Sequence, residues 1–164
     1  MQIEKVLNKE KKEEIEKIIE KNYGISPDLS KYIIFLTAKE KIWISTREAF
    51  ELIKEKAGEK LNINSIGLYM GKIKRNNKIH LSLEAMHLFL KNVNKNVVMV
   101  DEKNMIRYMQ GSDIIEFEKI NCELNNFVLV KYKDDFIGAG VLREDRVENL
   151  LPKSRRIYES TMRQ

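Results

Sequence analysis

The run Gly67-Leu-Tyr-Met-Gly71-Lys-Ile-Lys-Arg75-Asn-Asn-Lys78-Ile-His-Leu81-Ser-Leu-Glu-Ala85-Met-His-Leu88 holds three local signals in one unbroken stretch. β-favouring residues predict a strand near 65–74, Asn76-Asn77 a turn, and Ile79-His-Leu81 a short return strand. Ser82 predicts the cap of a helix over 83–91, with Ala85, Leu88 and Phe89 facing inward. Charge is placed unevenly along the same stretch. Residues 60–83 contain Lys60, Lys72, Lys74, Arg75 and Lys78 and no acid. Side chains alternate on a strand, so Lys72 and Lys74 share a face and the turn projects their neighbours from a hairpin tip.

Upstream, residues 8–22 read as an amphipathic helix with Ile15, Ile18 and Ile19 on one stripe, ended by Gly24. Tyr32-Ile-Ile-Phe-Leu36 and Ile42-Trp43-Ile44 predict a hairpin joined by Lys39-Glu40-Lys41. Ser45 with Glu48 predicts a capping box, opening a helix over Thr46–Ala57 that stops at Gly58. Its expected buried stripe is Ala49, Phe50, Ile53 and Ala57.

Downstream, the polar run Lys91-Asn-Val-Asn-Lys-Asn96 marks a domain boundary. Val97-Val-Met-Val100 predicts a strand, and Asp101 the cap of a short helix carrying Met105, Ile106 and Met109 up to Gly111. Strands are expected near 112–120, 126–132 and 136–142, with turns at Asn125-Asn126 and Asp134-Asp135, and a last strand over Arg156–Ser160. Many short strands with one helix in so few residues predict a small curled β-barrel. The fold class is therefore α+β: an α/β domain over 1–92 and a β-barrel over 93–164.

The chain has 164 residues, enough for one ordinary domain or two small ones. At 43% apolar it can build a core, and no apolar stretch is long enough to span a membrane. The N-terminus runs straight into charges, so a soluble, intracellular and cytoplasmic protein is expected. Cys122 is the one cysteine, which excludes an internal disulfide, and with only His80 and His87 beside it no metal or other cofactor is expected. Net charge is +5 at pH 7. Residues 1–92 carry +5, residues 93–151 carry −3, and residues 152–164 carry +3 through Lys153, Arg155, Arg156 and Arg163 against Glu159. Two positive islands thus flank an acidic stretch, and a local patch, not net charge, sets the field a phosphate backbone meets.

Catalytic constellations are missing from the sequence. Gly138-Ala139-Gly140 lacks the third glycine and the helix start of a dinucleotide loop, and reads instead as a strand bend or a close backbone approach. Asp134-Asp135 reads as a solvated turn, Cys122 as an inert thiol, and His80 and His87 as structural.

Taken together, Gly67–Leu88 resembles the N-terminal half of the archaeal and eukaryotic ribosome-biogenesis proteins of the large-subunit pre-rRNA processing family. In that family a Gly-x-x-x-Gly-Lys strand precedes a basic turn and a helix with Ala and Leu at matching places. Four further stretches resemble the PUA domain, the RNA-binding β-barrel that closes those proteins. They are Val97-Val-Met-Val100, Tyr108-Met-Gln-Gly111-Ser-Asp113-Ile-Ile, Phe127-Val-Leu-Val130 and Phe136-Ile-Gly138-Ala-Gly140-Val. The PUA-like tails of Sun-type RNA cytosine-5 methyltransferases are similar as well. The resemblance covers roughly residues 60–164 and implies a non-catalytic protein that binds structured RNA, ribosomal or transfer RNA, in ribosome biogenesis. Arg155 and Arg156 fall where relatives carry basic RNA-contacting residues. The expected RNA-binding set is Lys72, Lys74, Arg75, Lys78, Lys153, Arg155 and Arg156, one footprint gripping phosphates and 2′-hydroxyls. Two other readings remain: an RNA-targeting subunit for a methyltransferase supplied by another chain, and an assembly scaffold whose first helix docks a protein through its apolar face.

Overall fold

In the computed structural model, which describes residues 2–56 and 66–158, the chain divides into two compact units. One comprises Met1–Lys21 with Ile25–Lys91, the other Asn22–Gly24 with Asn92–Gln164. No helix among the described residues is long and apolar enough to cross a membrane.

The first unit is a five-stranded antiparallel sheet in sequence order. Strand β1 (Ile3–Val6) leads to helix α1 (Lys9–Tyr23), capped by the Asn8 side chain, whose Oδ1 accepts the Lys11 amide at 3.0 Å. Strands β2 (Ile33–Thr37) and β3 (Lys41–Ser45) form the expected hairpin, and α2 (Arg47–Lys56) follows. The quoted stretch then gives β4 (Leu68–Lys74), β5 (Lys78–Leu81) and α3 (Leu83–Phe89), with β4 and β5 joined by the Asn76-Asn77 turn, where both asparagines have positive φ. Ser82 caps α3 by accepting the Ala85 amide at 3.1 Å. Alternation sends Ile34 and Leu36 of β2 to one face and Ile33 and Phe35 to the other. Ile15 and Ile18 of α1 line one groove with Leu36, Ile42 and Ile73 on the first face, while Phe50 of α2 packs with Phe35, Ile33 and Trp43 on the second. Helices on both faces explain why β2 and β3 are apolar nearly throughout.

Three local expectations need correction here. Thr46, not Ser45, caps α2, its Oγ1 accepting the Ala49 amide at 3.3 Å; the Ser45 hydroxyl donates to the Thr46 carbonyl. Ala49 is exposed, because the large ring of Phe50 gains far more from burial and sets the phase of the helix. Leu88 is 42% exposed, since Ala85, Met86 and Leu90 hold α3 to the sheet and turn Leu88 outward. The Ile53 side chain, Ala57, Gly58 and Lys60 lie outside the described residues.

In the second unit β6 (Val97–Val100) runs into α4 (Glu102–Met109), capped by Asp101, whose carboxylate accepts the Asn104 amide at 2.8 Å. Strands β7 (Glu118–Ile120), β8 (Phe127–Tyr132), β9 (Asp135–Leu142) and β10 (Val147–Asn149) complete a sheet of order β10-β9-β8-β6-β7. All its pairings are antiparallel except β6 with β8. The predicted barrel is an open sheet among the described residues. Its two edges are nonetheless touched by one segment: Ile114 bridges Val147 of β10, and Glu118–Ile120 pairs with β6. Crossing from edge to edge, that segment cannot be the single strand expected over 112–120. Strand β10 was hidden in sequence by its charged surroundings, and only pairing with β9 extends it. The strand expected from Arg156 is irregular backbone as far as Tyr158, after a 3-10 turn at Lys153–Arg155; the rest of that strand lies outside the described residues.

Tyr108 holds this unit together. Fully buried in α4, it donates its hydroxyl to the Ala139 carbonyl at 2.7 Å, and burial pushes that hydroxyl's pKa well up. Room for the ring exists because residue 138 is glycine: a Cβ there would overlap the Tyr108 hydroxyl. Asn149 fixes the other end of α4, its amide donating to the Tyr108 and Ser112 carbonyls, each at 2.8 Å. The helix closes with Ser112 N–H on Arg107 O (3.0 Å), Gly111 N–H on Tyr108 O (2.9 Å), and Gly111 at φ 97°.

Gly138→Ala should lower Tm in thermal unfolding, and Tyr108→Phe should cost about 0.5–1.5 kcal/mol by removing one of two donors to the Ala139 carbonyl, the Leu150 amide at 3.2 Å remaining. Combined, the two should cost less than the sum of their separate effects, because the phenylalanine relieves the overlap. Strict additivity would show that residue 138 is glycine for another reason.

Candidate nucleic-acid interface

The predicted cations fall in two places, one in each unit. In the second unit, the 3-10 turn at Lys153–Arg155 is fixed to the end of α4 by the Ile157 amide, which donates to the Met109 carbonyl at 2.9 Å. Lys153 and Arg155 are exposed. Arg156 is only partly exposed. Its guanidinium lies over Gly111, where a Cβ would come within 2.8 Å, and its Nε donates to the Leu151 carbonyl at 3.3 Å. Arg156 therefore anchors the segment that presents the other two. Arg107, exposed in the last turn of α4, adds a cation beside this end of the helix that sequence reasoning passed over. Three other cations of the unit pair with carboxylates: Arg143 with Glu148 at 3.0 Å, Arg146 with Asp113 at 3.2 Å, Lys95 with Glu123 at 2.8 Å.

In the first unit the cations form a plane. Lys72 of β4 stands opposite Lys41 of β3 on one side and His80 of β5 on the other; Lys74 stands opposite Lys78. Residues directly opposite across an antiparallel pair share a face, so Lys41, Lys72, Lys74, Lys78 and His80 occupy one sheet surface. Arg75 is exposed in the turn beyond. Lys41, Lys72, Lys74 and Arg75 make no ion pair among the described residues. Sequence reasoning missed Lys41, because only the β3–β4 register brings it to Lys72. Strand alternation had given Lys72 with Lys74.

A groove of about 550 Å³ has an apolar floor of Leu7, Ile15, Ile18, Leu36, Ile42 and Ile73, and Lys72, Lys74 and Arg75 line it together with Lys11, Glu14 and Glu40. On α1, Ile15 and Ile19 are buried, and Ile18 of the same stripe is partly exposed along the groove. Cys122 donates its thiol to the Val97 carbonyl at 3.1 Å, and burial pushes its pKa up, both consistent with an inert thiol. No group of three or more metal-ligating side chains occurs among the described residues.

His80 gives the basic face a pH signature. Burial first, and then the neighbouring Lys74 charge, hold its imidazole below the ordinary value of 6.5. The folded state thus resists a proton that the unfolded chain accepts. Stability is full above that pH and falls as the pH drops below it. Replacing His80 with Asn should flatten this acid-side loss in denaturant titrations at pH 7.5 and pH 5.5; an unchanged slope would mean the imidazole is not shielded.

Residues 95–157 match the family described as the methyltransferase RsmF PUA domain. No curated protein matches the chain. A conserved PUA domain protein from Thermoplasma acidophilum has a similar structure, with TM-score 0.59 and 16% identity, covering 92% of this chain and 95% of that one. A PUA domain structure from Aeropyrum pernix K1, a tartrate complex, has TM-score 0.56 and 14% identity, covering 91% and 85%. At such identities the likeness concerns the fold, and it extends over both units. The second unit carries a PUA domain, a module that commonly binds RNA.

Proposed function

We propose that this is a non-catalytic RNA-binding protein that engages structured ribosomal precursor RNA during subunit assembly in the cytoplasm. The observation that carries RNA binding is the PUA match over 95–157, ending on the segment that presents Lys153 and Arg155 beside Arg107. Duplex RNA hides its base edges in a deep, narrow major groove, so cations on phosphates and 2′-hydroxyls recognise its shape. Ribosomal precursor RNA as the target rests on the resemblance of Gly67–Leu88 to the pre-rRNA processing family.

One observation favours a second reading. The matched family is the PUA domain of a methyltransferase, which suits a subunit that targets RNA for a catalytic domain on another chain. Affinity capture before and after nuclease treatment separates the two. Ribosomal precursor RNA removed by nuclease supports the first, and a methyltransferase retained after nuclease supports the second.

Lys153→Ala with Arg155→Ala should weaken binding to a structured RNA, with Tm unchanged. The salt slope of log affinity should shrink by about one for each phosphate left without its cation. Arg156→Ala should lower Tm as well, since it releases the segment from Gly111. Equal affinity of the double variant and the parent at 50 mM and 200 mM salt would remove the C-terminal segment from the interface.

A further inference from the structure

The cationic plane of the first unit continues into an aromatic pair. Trp43 of β3 stands opposite Tyr69 of β4, two pairs along from Lys41–Lys72, with Ile42–Gly71 between them. A bulge between Ile42 and Trp43 takes up the extra residue, so Trp43, Tyr69, Lys41 and Lys72 share a face. The two rings lie 5.5 Å apart at an interplanar angle of 60°. Both side chains are partly exposed, and the indole N–H donates to Thr37 Oγ1 at 3.0 Å, which fixes the ring. On the same face Trp43 packs against the apolar cluster of Phe35, Phe50 and Ile66, which holds one side of its ring and leaves the indole partly exposed. Passing along the face, one meets aromatic rings, then Lys41, Lys72 and His80, then Lys74 and Lys78.

One pair in that row is unfavourable by itself. Lys41 and Lys72, directly opposite across strands, repel one another, and neither makes an ion pair among the described residues. A partner that brings regularly spaced negative charge and flat apolar rings answers both features together. Single-stranded nucleic acid does so, since its bases stack on aromatic side chains while its phosphates follow a basic track. A folded acidic protein would satisfy the lysines but would not need flat rings beside them.

We propose that this face is a second RNA site, which takes an unpaired segment by stacking a base on Trp43 and Tyr69 and seating adjoining phosphates on Lys41, Lys72 and Lys74. It rests on the RNA-binding function proposed above and differs from the C-terminal segment in ligand: unpaired bases here, structured RNA there.

Trp43 is the only tryptophan in the chain, so its fluorescence reports on this site alone. The full chain is titrated with an eight-nucleotide unstructured oligoribonucleotide and, separately, with a blunt RNA hairpin, following both Trp43 emission and the anisotropy of labelled RNA. The oligonucleotide is expected to quench Trp43 in step with the anisotropy rise, and the blunt hairpin to bind without quenching. Lys41→Ala with Lys72→Ala should weaken oligonucleotide binding by about tenfold or more, while Lys153→Ala with Arg155→Ala leaves the quench in place. Tyr69→Leu, which keeps an apolar side chain beside Trp43, should weaken the oligonucleotide and spare the hairpin. Hairpin binding with no Trp43 response to the oligonucleotide would overturn the stacking site and leave the proposed function standing. Failure of both RNAs to bind would overturn the proposed function itself.

Discussion

The hydrogen bond from the Tyr108 hydroxyl to the Ala139 carbonyl is the constraint on which the second unit turns. It ties the helix following the first strand of the unit to the middle of its longest strand. The ring fits only over a glycine, and the helix end that carries it is held by Asn149 from the neighbouring edge strand. Once that helix is placed, its terminal turn at Gly111 supplies the shelf on which the Arg156 guanidinium lies. The position of Lys153 and Arg155 follows from that shelf. A buried phenol thus sets, step by step along the chain, where two solvent-exposed cations are offered.

Charge is handled differently on different surfaces of the chain. Arg143, Arg146 and Lys95 are matched locally by carboxylates, and the Arg143 hydrogen bond holds the Glu148 carboxyl below its ordinary pKa. Exposed pairs of this kind add little stability, but they remove those cations from any external partner's reach. On β3 and β4, Lys41 and Lys72 face one another across strands, and neither makes an ion pair among the described residues. Some cations are thus matched internally and others are not, a difference that the net charge of +5 does not show.

Much of this was legible because the signals were local. Asn76-Asn77, Ser82, Asp101 and the 3.6-residue stripe of α1 each act over a few residues, and each appears where the sequence places it. What escaped was set by distant partners. Val147–Asn149 is a strand only because β9 lies beside it, and Ala49 and Leu88 yielded their inward places to larger or better-placed neighbours. Of the candidate site, the acid-free run and the basic tail could be seen in the chain. The pairing of Lys41 with Lys72, and of Trp43 with Tyr69, depends on a sheet register containing a bulge, which no periodicity encodes. Arg156 had the right charge, but its role as an anchor follows from the empty space above Gly111.

Six asparagines, at 76, 77, 92, 96, 121 and 125, are among the nine described non-glycine residues with positive φ. Asparagine tolerates that region better than most side chains, and glycine would be the more usual occupant. The substitution acts on the disordered chain. Each Cβ present in place of a glycine hydrogen narrows the conformations open to the unfolded polypeptide, so less entropy is lost when the turn forms. With only seven glycines in 164 residues, the chain enters folding with fewer backbone freedoms to surrender at its corners. The tight turns between its strands thereby oppose unfolding from the side of the denatured ensemble, without adding an interaction to the native one.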